Sequence, residues 1–253
     1  MWNPEQYLKF AAPRFRPAQD LLARVAVAAP ATVYDLGCGA GNVTRMLAQR
    51  WPAARIVGVD DSEAMLAQAA REASGIVWQC RSIAAWTPEQ PADVIYSNAA
   101  LHWLPDHAAL FPRLMRQLAP GGVLAAQMPR NFGEPSHTLI WETLRAGPWR
   151  DRLAHLVRPS PVAPPEYYYD LVAPLASEMD VWETQYLQVL EGRDPVKEWT
   201  KGTWLKQFLD ALDETDRPVF EEDYARRLRE AYPVRPDGRT LFPFRRLFLV
   251  ARR

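Results

Sequence analysis

The sequence has few cysteines, no excess of charge of either sign and no long apolar run. Cys38 and Cys80 are its two cysteines, and neither belongs to a CxxC or CxH pair. This pattern disfavours both a disulfide framework and a zinc site. Lys plus Arg and Asp plus Glu each number 30, so the charge balance argues against nucleic acid as the main partner. No apolar run reaches about 18 residues and no signal peptide is evident, so we expect a cytoplasmic protein without a membrane span.

The first half of the chain alternates short apolar runs with helical segments. At 253 residues with 48% apolar and 24% charged residues, the composition is that of a soluble globular protein. Ser62 is placed to cap a helix, and Pro120-Gly121-Gly122 predicts the end of a helix over 106–118. The second half adds helical segments over 194–232. Strands are predicted at 32–36, 55–59, 76–80, 92–97, 123–128 and 180–190, and in the final LFLVARR.

These elements predict an α/β protein with a seven-stranded, mostly parallel sheet and helices on both faces. No linker divides the sequence, so we expect one domain over 1–253 with a helical lid interleaved in the core. The predicted core covers about 18–128, 178–190 and 240–253. The predicted lid covers about 1–17, 129–177 and 191–239.

A glycine-rich turn follows the first strand, in the order Asp35-Leu36-Gly37-Cys38-Gly39-Ala40-Gly41-Asn42. Glycine lets a ligand approach the main chain closely, and ligands of such sheets bind at the carboxyl ends of the strands. Asp60 ends the second strand, where an acid can accept hydrogen bonds from a ribose diol. A dinucleotide site needs a third glycine where Asn42 stands, and Asp35 would repel a pyrophosphate. The turn therefore favours S-adenosylmethionine over NAD, because Asp35 can bind an amino group.

The DLGCGxG block with Asp60 resembles the signature of class I methyltransferases. The resemblance implies a Rossmann-like fold, S-adenosylmethionine as cofactor, and S-adenosylhomocysteine as product. Relatives usually carry Asp at the position of Ser82, which is a weaker acceptor of the adenine amino group. The residues expected to bind the cofactor are Tyr7, Arg16, Asp35, Gly37, Cys38, Gly39, Asn42, Asp60, Asp61, Met65, Ser82, Ile83, Asn98 and Ala99.

A longer resemblance links the chain to the trans-aconitate 2-methyltransferases. It rests on segments such as WNPEQYLKF, RFRPAQDLLARV, SNAALHWLPDH, QMPRNFGEPSH, YYYDLV and FPFRRLFLVARR. It implies transfer of a methyl group to a carboxylate of trans-aconitate, which forms the monomethyl ester.

A carboxylate is already ionised at neutral pH, so we expect positioning and exclusion of water rather than a general base. The two spectator carboxylates need cationic and hydroxyl donors. The expected donors and shielding groups are Trp103, Arg130, His137, Tyr168, Lys201 and Arg245. Relatives usually carry an acid at the position of Arg130. His102 and His107 are five positions apart, which is not the helical spacing of a metal pair, and we expect no metal.

Other functions remain open on the sequence. The acceptor could be another small carboxylate, a malonyl thioester on a carrier protein, or a natural-product hydroxyl. The chain could also bind S-adenosylmethionine without turnover. A nucleic-acid methyltransferase is disfavoured because SNAALHW lacks the NPP-type motif of base methylation. We expect a monomer with a small-molecule substrate and no nucleic-acid or membrane partner.

Overall fold

The computed structural model of the chain describes residues 11–72 and 75–253, with side chains from Phe15 onward. Its strands are β1 (Thr32–Leu36), β2 (Arg55–Asp60), β3 (Val77–Cys80), β4 (Ala92–Asn98), β5 (Leu118–Pro129), β6 (Glu178–Leu190) and β7 (Thr240–Arg252). Its helices are α1 (Ala11–Ala23), α2 (Asn42–Arg50), α3 (Glu63–Glu72), α4 (His107–Arg116), α5 (Pro135–Ala146), α6 (Arg150–Leu153), α7 (Pro165–Val172), α8 (Pro195–Lys201), α9 (Lys206–Asp210) and α10 (Asp216–Ala231). Within these described ranges, no helix combines the length and the apolar character needed to cross a bilayer.

The seven strands form one sheet in the order β3-β2-β1-β4-β5-β7-β6. Strands β1 to β5 run parallel to their neighbours, and β7 runs antiparallel to β5. The chain moves outward from β1 to β3 and then returns to β4 on the other side of β1. This reversal creates the switch point at which open α/β sheets bind ligands.

Burial follows the position of each strand in the sheet. Every residue of β1, at the switch point, is buried, as expected of a parallel strand with both faces covered. Strand β6 lies at the edge, and its burial alternates along the strand. Leu187 and Val189 on β6 are each 56% exposed.

The predicted sheet is confirmed, but two strands begin earlier than predicted. β7 begins at Thr240 and not at Leu247, and β5 begins before position 123. The sequence placed this strand at 123–128, after a stop signal at Pro120-Gly121-Gly122. The strand in fact begins at Leu118, which pairs with Ala92 before the register shifts and Val123 pairs with Val94. Gly121 adopts a φ of 77° inside this irregular stretch. The segment is therefore an irregularity within a strand, and glycine serves there as it would in a turn.

The helix predictions are also largely confirmed. The backbone N–H of Met65 donates to the Ser62 hydroxyl at 3.3 Å, which confirms the predicted cap. The helix predicted over 106–118 spans α4 and ends at Arg116. The helical segment over 194–232 consists of α8, α9 and α10.

The chain divides into two compact units. One comprises Phe15–Pro129, Val162–Thr184 and Arg246–Arg253, and it contains the parallel strands. The other comprises Arg130–Pro161 and Gln185–Arg245, with residues 11–14. Helices α5, α8 and α10 pack together in this second unit. The assignment of a core and a lid stays a prediction.

The indole of Trp78 fills the space above two glycines in the first unit. A Cβ atom placed on Gly58 would lie 2.5 Å from Trp78 Cζ3. A Cβ atom placed on Gly41 would lie 2.5 Å from Trp78 Cη2. These distances are too short for real contacts, so β2 needs glycine at position 58 for Trp78 to pack.

We expect Gly58→Ala to lower the free energy of unfolding by about 1–3 kcal/mol, because the added methyl overpacks the site. Gly133→Ala is the matched control, since a Cβ there meets no atom within 4 Å. This control should change stability by less than about 0.5 kcal/mol. Urea unfolding followed by tryptophan fluorescence measures both. Equal effects of the two substitutions would contradict the packing argument.

Candidate functional site

In the glycine turn after β1, Gly37 packs tightly against a neighbouring residue, whereas Gly39 faces open space. Gly37 has a φ of 77°, and a Cβ atom on it would lie 2.1 Å from Ala100 Cβ. Gly39 has a φ of 53°, but a Cβ atom on it would meet nothing within 4 Å. Glycine is therefore required at position 37 by neighbouring atoms and at position 39 by backbone conformation. The open side of Gly39 leaves room for a ligand to approach the main chain.

Hydrogen bonds hold the turn to the end of β2. The N–H groups of Gly37 and Cys38 donate to the Val59 carbonyl at 2.8 and 3.1 Å. The Gly39 N–H donates to Asp60 Oδ2 at 2.8 Å, and the Ser62 N–H donates to Asp60 Oδ1 at 3.0 Å. Asp60 therefore has one lone pair on each oxygen engaged by the main chain. With its remaining lone pairs, Asp60 would accept hydrogen bonds from the hydroxyls of a ribose diol.

Asp35 is a buried acid in the middle of the sheet. It is 1% exposed, and its Oδ2 accepts a hydrogen bond from the Thr44 hydroxyl at 2.7 Å. Burial raises the pKa of Asp35 to about 7, against the opposing effect of the Thr44 hydrogen bond and with a further rise from the charge of Asp60. A cation placed beside this carboxyl would favour its ionised form. The sequence did not single out Thr44, whose partner lies nine positions earlier.

The end of β4 presents an unused acceptor. Asn98 Oδ1 is buried and has no hydrogen-bond partner among the described residues. The next residue, Ala99, has a φ of 56°, and its N–H donates to the Gln127 carbonyl at 2.9 Å. Leu101–Trp103 then form a short 3₁₀ helix, in which Trp103 is 53% exposed. A buried acceptor without a donor indicates a place for a ligand N–H.

The loop after β3 is held by a residue that the sequence reasoning missed. The Arg113 guanidinium on α4 donates to the carbonyls of Ile83 and Trp86 at 2.8 and 2.5 Å. Ile83 is 9% exposed, whereas Ser82 is exposed. Arg113 therefore fixes the segment that was expected to bracket an adenine ring. No sequence motif marks it, because its partners lie about 30 positions away.

The remaining predicted cofactor residues are placed less tightly. Asn42 is the exposed first residue of α2 and accepts a hydrogen bond from Arg45. Asp61 is exposed, Met65 is half-buried and Cys38 is buried. Arg16 has an exposed side chain within 3.9 Å of Asp20. Tyr7 lies outside the described residues. Cofactor contacts of these side chains stay predictions.

Three of the predicted substrate residues belong to one cluster in the second unit. The Arg130 N–H donates to the Arg245 carbonyl at 2.9 Å, and the Arg245 N–H donates to Asn131 Oδ1 at 3.0 Å. Asn131 Nδ2 donates to the Ser136 hydroxyl, which lies 3.0 Å from His137 Nδ1. Asn131, which the sequence reasoning missed, thus connects the backbone of Arg245 to Ser136 and through it to the predicted His137.

Two other predicted substrate residues have partners within their own unit. Lys201 Nζ lies 2.6 Å from Glu221 Oε2. Tyr168 is fully buried, with its hydroxyl 2.8 Å from His107 Nδ1. The same hydroxyl accepts the Ala163 N–H at 3.2 Å. Substrate contact by Lys201 and Tyr168 stays a prediction, and each would have to share or release a partner.

The Arg245 side chain is also paired. Its guanidinium lies 3.1 Å from Glu134 Oε1, and both side chains are about one third exposed, at 38% and 33%. The ion pair keeps the guanidinium close to the start of α5. Because it is partly solvated, the pair contributes little to stability, and substrate contact by Arg245 stays a prediction.

Comparison with known proteins identifies the family. Residues 33–122 match the family described as "Methyltransferase domain". The chain is 50% identical to "Trans-aconitate 2-methyltransferase" from Azoarcus sp. (strain BH72), over 99% of this chain and 98% of that protein. It is 48% identical to the protein of the same name from Methylobacterium nodulans, over 100% and 98% of the two chains.

Solved structures agree on the fold. A putative methyltransferase from Bacillus halodurans C-125 superposes with a TM-score of 0.59, at 15% identity, over 94% of this chain and 98% of that chain. This likeness confirms the class I methyltransferase fold. Identity near 50% over the full length goes further, and the chain belongs to the trans-aconitate 2-methyltransferase family.

Proposed function

We propose that this protein transfers a methyl group from S-adenosylmethionine to one carboxylate of trans-aconitate. The observation that carries the proposal is the conjunction of the glycine turn and buried Asp35 with full-length identity to relatives of that name. The bound cofactor supplies an electrophilic methyl group on a sulfonium. The carboxylate oxygen forms the new O–CH₃ bond as the S–CH₃ bond breaks, which leaves S-adenosylhomocysteine.

The residues of the turn fit this cofactor. The open face above Gly39 admits a ligand to the main chain. Asp35, whose pKa is raised to about 7, and the unpartnered Asn98 Oδ1 both suit the ammonium of the methionine moiety. Asp60 keeps lone pairs for the ribose, and Ile83 offers an apolar surface for the adenine. No described residue is needed as a general base, because the acceptor carboxylate is already ionised.

We propose that Arg130, just after β5, and Arg245, within β7, bind the substrate carboxylates. Arg130 and Arg245 supply charge, His137 supplies a ring N–H, and Lys201 and Tyr168 remain proposed contacts. Trp103, with half of its surface exposed, is suited to shield the transferred methyl from water. We also propose that the enzyme is a cytoplasmic monomer that acts on a free small acid and not on nucleic acid, as the balanced charge of the chain supports.

The first test is a product assay with labelled S-adenosylmethionine and a panel of di- and tricarboxylates. We expect selective formation of the trans-aconitate monomethyl ester, identified by mass spectrometry. Citrate and cis-aconitate are the matched controls, since they carry the same three carboxylates in another geometry. Cofactor binding without an ester from trans-aconitate would reject the substrate and point to another acid or a carrier-bound thioester.

A second test concerns the ionisation of Asp35. Because the pKa of Asp35 is about 7 before the cofactor binds, binding of a cation requires loss of its proton below that pH. The Kd for S-adenosylmethionine should therefore fall by up to about tenfold per pH unit between about pH 5.5 and 7, and level off above. Asp35→Asn should remove this slope and weaken binding at least about tenfold at pH 7.5.

The control for this substitution is Asp93→Asn, whose carboxylate accepts backbone N–H groups at the opposite end of β1. It should keep the pH slope.

Thermal unfolding separates binding from folding. A raised pKa means that Asp35 stabilises the apoprotein below pH 3.8 and loses that contribution as pH rises through about 7. Asp35→Asn should therefore raise the Tm of the apoprotein at pH 8. An unchanged pH slope in Asp35→Asn would contradict the assigned role.

A further inference from the structure

A short hydrogen-bond chain in the second unit ends at His137. Asn131 Nδ2 lies 2.9 Å from the Ser136 hydroxyl, which lies 3.0 Å from His137 Nδ1. All three residues are at most 5% exposed. The Ser136 backbone is fixed as well, because its N–H donates to the Tyr232 hydroxyl and its carbonyl accepts from the Tyr224 hydroxyl. These linked hydrogen bonds are therefore buried and fixed in position, and they are not a surface arrangement.

The direction of each hydrogen bond follows from its fixed end. Asn131 Oδ1 accepts the Arg245 backbone N–H at 3.0 Å, so the amide is oriented and Nδ2 must donate to Ser136. The Ser136 oxygen accepts this bond, and among the described residues His137 Nδ1, 3.0 Å away, is the acceptor within reach of its O–H, so we assign the Ser136 proton to Nδ1. A ring nitrogen that accepts carries no proton, so the proton of neutral His137 resides on Nε2.

His137 is neutral and has an unused donor. Its ring packs edge-on against Phe132, with centroids 4.9 Å apart, and lies tilted against Trp204 at 6.3 Å. Burial lowers the pKa of His137 to about 3, so the ring carries no charge at neutral pH. Nδ1 is the ring atom with a hydrogen bond to a described residue. Nε2 makes no hydrogen bond to a described residue, so its N–H is available to donate to a ligand.

The arrangement suits an anionic ligand. The same Asn131 that orients the chain also receives the Arg245 N–H, and the Arg130 N–H donates to the Arg245 carbonyl. Backbone hydrogen bonds thus connect the His137 chain to the main chain of Arg245 and Arg130. The Arg245 guanidinium itself lies 3.1 Å from Glu134, at the start of the helix that carries His137. A neutral N–H makes a directional hydrogen bond, whereas guanidinium groups contribute positive charge. A carboxylate held by both is therefore selected by its geometry as well as by its negative charge.

We propose that His137 donates its Nε2 proton to a spectator carboxylate of the acid substrate, and that Asn131 and Ser136 are positioning residues which fix its tautomer. The inference rests on the proposed function, because it names a contact within that acid site. It adds the chemical form in which His137 acts and the two residues on which that form depends.

Steady-state kinetics with trans-aconitate and S-adenosylmethionine tests the contact. His137→Leu should raise the KM for trans-aconitate at least about tenfold and leave the KM for the cofactor within about twofold. His137→Gln places an amide N–H near the position of Nε2 and should recover most of the loss. Ser136→Ala should raise the KM for the acid by about three- to tenfold.

Thr143→Ala is the matched control, since Thr143 is buried on the same helix and its hydroxyl donates to the Leu139 carbonyl within that helix. It should leave both KM values unchanged. If the wild-type enzyme forms no ester from trans-aconitate, the proposed function fails. If the wild type is active and the His137 and Ser136 variants keep its KM for the acid, the inference alone is overturned.

The tautomer has a readout that does not depend on turnover. The chain has four histidines, so a long-range ¹H–¹⁵N spectrum resolves each ring, and His137→Gln identifies the signal of interest. We expect a protonated Nε2 and an unprotonated Nδ1 in the wild type, and a mixture of tautomers in Ser136→Ala. A protonated Nδ1 in the wild type would overturn the positioning role of Asn131 and Ser136.

Discussion

The enclosure of the Asp35 carboxyl within the sheet is the constraint on which the site depends. Strand β1 is covered on both faces, so the carboxyl cannot be solvated, and one hydroxyl from Thr44 only partly compensates. The folded protein therefore contains an acid whose charge is costly until a cation arrives. The glycine turn and Asp60 are arranged around that acid by backbone hydrogen bonds. Stability is lost here in exchange for binding, as is common at functional sites.

The sequence was sufficient to predict the sheet, because buried parallel strands appear as apolar runs bounded by turn residues. It was not sufficient for the start of β5. Gly121 in a positive-φ conformation serves equally well in a turn or in an irregular strand. The choice between them depends on Ala92, which pairs with Leu118 from a distant part of the chain. A local signal cannot carry that information.

The site shows the same division between local and distant signals. The sequence singled out Asp35, the glycines and Asn98 because they lie at or just after strand ends in a recognised order. Thr44, Arg113 and Asn131 were not found, since each acts through a partner that only the fold brings near. The substrate side was hardest for the same reason: the charge of Lys201 is shared with Glu221, and the hydroxyl of Tyr168 with His107. Residue type alone does not reveal such pairings.

The position of β7 has a consequence for how the protein is made. This strand lies between β5 and β6, although it follows both in the chain. A nascent chain that has left the ribosome as far as Leu190 carries β6 without its neighbour in the sheet, and the edge of β5 is open. Leu187 and Val189 belong to β6, which is synthesised before its neighbour β7. The interval before residues 240–252 emerge is therefore the period in which an unpaired edge is exposed to other chains, and during which chaperones have the most to protect.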